Sequence, residues 1–357
     1  MNILIIALSG IGDALMFTPA LQQLNEEIPS ANIEALVMYN GVKDIYEKLP
    51  QLSKVHYFDF LNSTKLDSLR FVLKLRNKYQ ASVNVYPSNR KEYNIIARII
   101  GAEKRIAIKY LRNDLANLGF LNTLQILEDD NLHNVEENVR MAELLAGKKL
   151  RNIPPLLFNM QNDDQEFMNG FLVEKSIQKN DIVIGFHPGC SSLKNHNNRR
   201  WEPNNFAELG KRLIEKFNAR ILVFGGSDEE VLKNTITVNI DSPYAHAVNG
   251  ATLSNTAAVM SRCNLFITND SSLMHAASAL KLNVLAIIGP TNTNYIHPWQ
   301  TDHQIASLNL ECSPCFYYSP RPLICSRTDV KFKCVKELSV EMVFGKAEQI
   351  IKKLRVE

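Results

Sequence analysis

Nowhere in the 357 residues does an apolar run approach the ~20 residues that a membrane-spanning helix requires. A basic leader is also missing, and Ser9, Gly10, Gly12 and Asp13 interrupt the apolar stretch that ends at Leu8, so no secretory signal is expected. The chain is therefore expected in the cytosol, where thiols stay reduced. Charge of one sign is lacking too. The 40 Lys and Arg nearly balance the 37 Asp and Glu, a net of +3, which argues against nucleic acid as the partner. Finally, no complete G-x-G-x-x-G follows a strand. In "GIGDAL" Leu15 stands where the third glycine would be, and this disfavours a Rossmann dehydrogenase.

What is present is globular: 45% apolar and 22% charged residues. The length suits two α/β domains of ~150–200 residues each. Short β-branched runs alternate with helical periodicity throughout, the pattern of parallel sheets wound with helices. Strands are expected at 2–8, 33–38, 54–58, 81–85 and 105–108, then at 182–186, 220–224, 264–268 and 283–288. Helices are expected at 14–26, 67–78, 93–100 and 136–146, then at 205–217, 229–234, 254–261 and 272–280. The stretch "RNIPPLLFNMQNDDQEF" breaks the rhythm with a Pro-Pro step and an acidic patch, which places the interdomain connection near it. The expected division is a first domain over 1–165, a second over 176–335 and an amphipathic closing helix within 338–357.

Three polar turns follow successive strands of the second half: "GFHPGCSS", "FGGSDEE" and "TNDSSLMH". Together they describe one rim at the C-terminal ends of the strands, where open α/β sheets bind ligands. Ser271 and Ser272 stand at a helix start, where free N–H groups and the helix dipole favour an anion, and His275 lies one turn on. Simple N-capping by Asp270 or Ser271, with His275 as a packed neighbour, accounts for the same residues. In the first half, "NILIIALSGIGDALMFTPAL" sets Asp13 where a phosphate-binding turn would hold only glycines and amides. A carboxylate there repels phosphate, so Asp13 either caps the helix or serves a different chemistry.

Four of the six cysteines fall together as Cys312-x2-Cys315-x9-Cys325-x8-Cys334. Such a cluster in a reduced compartment reads either as a closed tetrahedral site for structural zinc or iron, or as free thiols.

Four stretches in order, "LIIALSGIGDALMFTPALQQL", "HPGCSSLKNHNNRRWEPNNFAELGKRL", "VFGGSDEE" and "LFITNDSSLMHAASALKLNVLAIIGPTN", resemble glycosyltransferase family 9, the ADP-heptose:lipopolysaccharide heptosyltransferases of Gram-negative bacteria. The resemblance implies the GT-B fold: two facing Rossmann-like domains, acceptor on the first and donor on the second, and a C-terminal helix crossing back to the first. It implies an inverting transfer of heptose, or a similar sugar, from a nucleotide-diphosphate donor to an inner-core or other surface-glycan acceptor. No catalytic cofactor is implied, and peripheral contact with the inner face of the inner membrane stays open.

On this resemblance Asp13 is the general base, ionised at neutral pH from its reference pKa of ~3.9. Gly12 and Arg90 face the acceptor. Ser191, Ser192, Lys194, Arg199, Glu229, Asp270, Ser271, Ser272 and His275 hold the donor, with Glu229 at the ribose and Lys194 and Arg199 meeting the diphosphate. Two departures stand out: Glu202 separates Trp201 from Pro203, and Ser272 replaces the family's glycine. The same machinery acting on another donor or on a protein hydroxyl, or binding nucleotide without turnover, stays open.

Overall fold

A computed structural model describes residues 1–191, 193–317 and 322–354, with backbone only for Leu193 and Lys194. The chain divides into two compact units, Met1–Asn159 and Met160–Tyr317 with the segment from 322 onward.

The first unit runs β1 (Asn2–Ala7), α1 (Ile11–Glu27), β2 (Asn32–Val37), α2 (Asn40–Tyr46), β3 (Lys54–Tyr57), α3 (Lys65–Leu73), β4 (Ala81–Asn84), α4 (Lys91–Ile100), β5 (Lys104–Lys109), β6 (Leu124–Leu127) and α5 (Asn134–Ala146). Its six strands form one parallel sheet in the order β3-β2-β1-β4-β5-β6. The order reverses between β1 and β4, where such sheets open a crevice at the strands' C-terminal ends. The central strand β1 is apolar on both faces, as helices on both sides demand: Ile3, Leu4, Ile5, Ile6 and Ala7 are all buried.

The second unit repeats the plan. It begins with α6 (Asn162–Glu174), then β7 (Val183–His187), α7 (Pro203–Phe217), β8 (Arg220–Val223), α8 (Glu230–Ile240), β9 (Ala245–Ala247), α9 (Leu253–Met260), β10 (Leu265–Asn269), α10 (Ser272–Ala279), β11 (Asn283–Ile287), α11 (Thr293–Ile296), β12 (His303–Ala306), α12 (Lys333–Lys336) and α13 (Val340–Leu354). The sheet is parallel, ordered β12-β11-β10-β7-β8-β9, and reverses between β7 and β10. Two Rossmann-like α/β units follow, as expected.

Boundaries differ in two places. The acidic stretch before 175, read as linker, is α6. Asp164 accepts the Gln161 N–H at 2.8 Å and so closes the helix start, and it also accepts from Asn255 of α9 at 3.1 Å. The division therefore falls at 159/160 rather than near 165. The closing helix, expected to pack toward the first domain, buries its stripe of Val343, Phe344, Ala347, Ile350 and Ile351 in the second unit's own core, among Phe206, Leu213 and Leu285. No described helix is long and apolar enough to cross a membrane.

Candidate active site

In the first unit α1 begins at Ile11 with Gly10 as its N-cap, which puts Asp13 at the third helical position rather than ahead of the helix. Its Oδ2 accepts the Gly10 N–H at 3.0 Å, the carboxylate half of a capping box. Asp13 thus does cap the helix, and it does so beside a group of tyrosines. Burial raises the Tyr39 and Tyr93 phenols; Asp13 adds to both shifts and Arg90 opposes them. Arg90 and Asp13 therefore act on the same two rings. Gly12 is buried inside the first turn. Gly10 is not sterically required: its φ is −69°, and an added Cβ would meet Asp13 Oδ2 at an ordinary 3.6 Å.

In the second unit the three polar turns converge at the C-terminal ends of β8, β7 and β10, adjacent strands of the sheet. His187 closes β7, Glu229 precedes α8, and Ser271 is the N-cap of α10. His187 Nδ1 lies 2.7 Å from Ser271 Oγ, and Nε2 lies 3.1 Å from Glu229 Oε2. Glu229 also accepts from Gly226 N–H at 3.2 Å and from Arg200 at 3.3 Å. Burial pushes its carboxyl up, but His187, Arg200 and the Gly226 amide together hold it below the usual carboxylate range. A Cβ at Gly189 would stand 1.7 Å from Glu229 Oε1, so any larger residue would displace the carboxylate from its place.

A second charged pair sits beside the first. Arg199 and Asp270, both buried, form an ion pair. Thr291 donates to Asp270 Oδ2 at 2.6 Å, and the Arg199 guanidinium lies 5.3 Å from the Phe316 ring. The rim is braced from behind. Trp201, wholly buried, donates its backbone N–H to Asn269 Oδ1 at 3.0 Å and its indole N–H to Leu338 C=O at 2.7 Å, while Asn269 donates to Pro188 C=O at 2.6 Å. His275, four residues into the α10 side of the rim, is 4% exposed. Burial pulls its pKa down to about 4, against an opposing pull from Asp270, so the ring is neutral near pH 7.

The structure brings Arg199, Glu229, Asp270, Ser271, Ser272 and His275 to one rim, with Ser191 exposed on the loop that follows β7. Ser192 and the side chain of Lys194 lie outside the described residues. Arg199 does not stand as a lone cation awaiting phosphate, because its charge is matched by Asp270, as Arg200's is by Glu229. What remains for an anion is the amide end of α10. Sequence reasoning missed His187, Arg200 and Thr291. His187 carried a usable signal, a polar side chain ending an otherwise apolar strand directly before Pro-Gly.

The metal expectation finds no support. All six cysteines are free, and among the described residues no three His, Cys, Asp or Glu are placed to hold an ion. Cys312, Cys315, Cys325 and Cys334 do influence one another: burial first, then the other three thiols, push Cys334 up to about 11. Cys325 Sγ accepts the Phe332 N–H at 3.3 Å.

Comparison with known proteins places the chain in a family. The family described as glycosyltransferase family 9 (heptosyltransferase) matches residues 70–322, well over half of the chain. Lipooligosaccharide heptosyltransferase 2 of Campylobacter jejuni is 30% identical over 175 residues, which is 48% of this chain and about half, 51%, of that relative. The lipooligosaccharide heptosyltransferase 2 of Haemophilus influenzae is 24% identical over 313 residues, 84% of this chain and 86% of that protein. The solved structure of E. coli ADP-heptose LPS heptosyltransferase II superposes with a TM-score of 0.77 at 18% identity, covering 99% of this chain and 100% of that one. The chain belongs to glycosyltransferase family 9, the heptosyltransferases, and is an enzyme of the glycosyltransferase class.

Proposed function

We propose that the protein transfers a heptose from ADP-heptose to a lipopolysaccharide-type inner-core acceptor with inversion at the anomeric carbon. The observation that carries this reading is the rim of the second unit. The amide end of α10, with no side-chain cap, belongs to the same rim as a caged carboxylate, Glu229, whose Oε1 accepts from Arg200. The α10 amides suit a diphosphate, and the carboxylate suits ribose hydroxyls. The names of the relatives supply the sugar and acceptor class, and a neighbouring solved structure was determined with ADP.

On this reading Asp13 removes the acceptor hydroxyl proton as that oxygen bonds to the anomeric carbon. The bond from that carbon to the phosphate oxygen breaks, and ADP leaves with the electron pair. Asp13 Oδ2 accepts the Gly10 N–H, and Asp13 and Arg90 act on the same two tyrosines, a setting that suits an anionic acceptor sugar. Leaving-group charge is met by the backbone N–H groups at the start of α10. Peripheral contact with a membrane surface is part of the proposal. On α3 the exposed Leu66, Leu69 and Leu73 form one stripe flanked by Lys65 and Arg70, the pattern of a helix lying on an anionic lipid surface. The test is acceptor-dependent ADP release from ADP-heptose. Turnover by the wild type and its collapse in Asp13→Asn support the reading. No turnover with any inner-core acceptor, or full activity in Asp13→Asn, refutes it.

A further inference from the structure

The geometry points to His187 as the positioning residue that couples the ribose end of the donor pocket to its diphosphate end, an inference that rests on the donor reading of this rim. His187 ends β7, the strand lying between β8 and β10, so its ring is flanked by both neighbouring turns. The imidazole is 3% exposed, and both of its nitrogens are engaged.

The proton order along this line follows from the charges. Ionised Glu229 can only accept, so His187 Nε2 carries a proton and donates it to Oε2. His187 Nδ1 is paired with the Ser271 hydroxyl. Thr268 Oγ1 lies 3.1 Å from Ser271 Oγ, and its hydrogen also faces the Asn269 C=O at 2.8 Å. A continuous chain links Ser271, His187 and Glu229, buried throughout and terminated by a charge. In a low-dielectric site each bond of such a chain strengthens the next.

Two consequences follow. The Ser271 hydroxyl is engaged by His187 and Thr268, so a diphosphate depends on the backbone N–H groups of α10. Moreover, the position of Glu229 and the α10 start are set together. A ribose that seats on Glu229 finds the diphosphate cradle already aligned, a cost of ordering removed before binding.

The experiment is ADP titration by calorimetry on the full chain, with a cycle of His187→Ala, Glu229→Gln and the double variant. His187→Ala is expected to weaken ADP about tenfold, the cost of one buried hydrogen-bond partner left unsatisfied. The double variant is expected to lose no more than the worse single one, since the two act as a unit. With ADP-heptose the loss appears in KM, while kcat at saturating donor stays within about threefold. His187→Gln, whose amide nitrogen reaches Glu229, recovers most of the affinity; the shorter His187→Asn does not. Unchanged ADP affinity in folded His187→Ala, or losses that simply add in the double variant, overturns the coupling while leaving the donor reading intact. Should His187→Ala not fold, the Gln and Asn variants decide, and equal affinities overturn the inference. A wild type that binds no ADP refutes the donor reading and this inference with it.

Discussion

Removing one partner of the Arg199–Asp270 pair should cost far more than removing both. The two groups are 8% and 7% exposed, and Asp270 is further fixed by the Thr291 hydroxyl. Arg199→Met leaves Asp270 buried with a single hydroxyl donor. Asp270→Leu leaves a guanidinium whose named contacts are Thr291, His196 and the Phe316 face. A buried pair broken on one side typically costs about 3–5 kcal/mol, because the survivor's charge has lost its compensation, whereas an apolar replacement of both is close to neutral. In a unit of this size about 1 kcal/mol moves Tm by roughly 2–4 °C, so each single variant should melt roughly 6–20 °C lower. The assay is unusually clean. Both tryptophans, Trp201 and Trp299, lie in the second unit, so intrinsic fluorescence during urea or thermal unfolding reports that unit alone. The reasoning requires the double variant to recover most of the loss. Single variants that cost under about 1 kcal/mol, or a double variant whose loss is the sum of the two, would refute it.

Other outcomes follow from the same geometry. Asp13→Asn should lower kcat about 10²–10⁴-fold with donor KM unchanged, because proton removal at the acceptor is lost while the second unit is untouched. Its Tm should stay within a few degrees, since the amide oxygen still accepts the Gly10 N–H. Gly189→Ala should abolish ADP binding in calorimetry, as its methyl would overlap Glu229 Oε1. The fall of His275 from 6.5 to about 4 makes acid stability testable. The unfolded chain takes up that proton near 6.5 and the folded chain only near 4, so stability is lost as pH drops across this window, by about 3 kcal/mol in all. His275→Gln should flatten the tryptophan-monitored stability curve between pH 6.5 and 4; an unchanged slope would contradict the assignment.

The rim was legible in the sequence because Gly, Ser, Asp and His at the ends of apolar β-branched runs leave little else for those residues to do. The central strands β1, β4, β7 and β10 were legible because they are short, buried runs rich in apolar residues. The edge strands β6, β9 and β12 were not. They are three or four residues long and half-exposed, and Leu124–Leu127 and His303–Ala306 carry polar residues where burial imposes no pattern. The helix α6 was hidden by its own cap. Asp163 and Asp164, acidic residues that favour a helix start, gave the stretch the look of a linker. The pairing of Arg199 with Asp270 spans 71 residues, and nothing local announces it. The cysteines act on one another, yet among the described residues no three of them are placed to hold an ion.

The account stands on the claim that the C-terminal rim of β7, β8 and β10 is the nucleotide-sugar site. A crystal structure with ADP-heptose bound tests it most directly. The diphosphate should sit within hydrogen-bond distance of the backbone N–H groups at Ser271 and Ser272, with a ribose hydroxyl on Glu229 Oε1. Electron density for the nucleotide anywhere else, or a ribose that leaves Glu229 untouched, would contradict it.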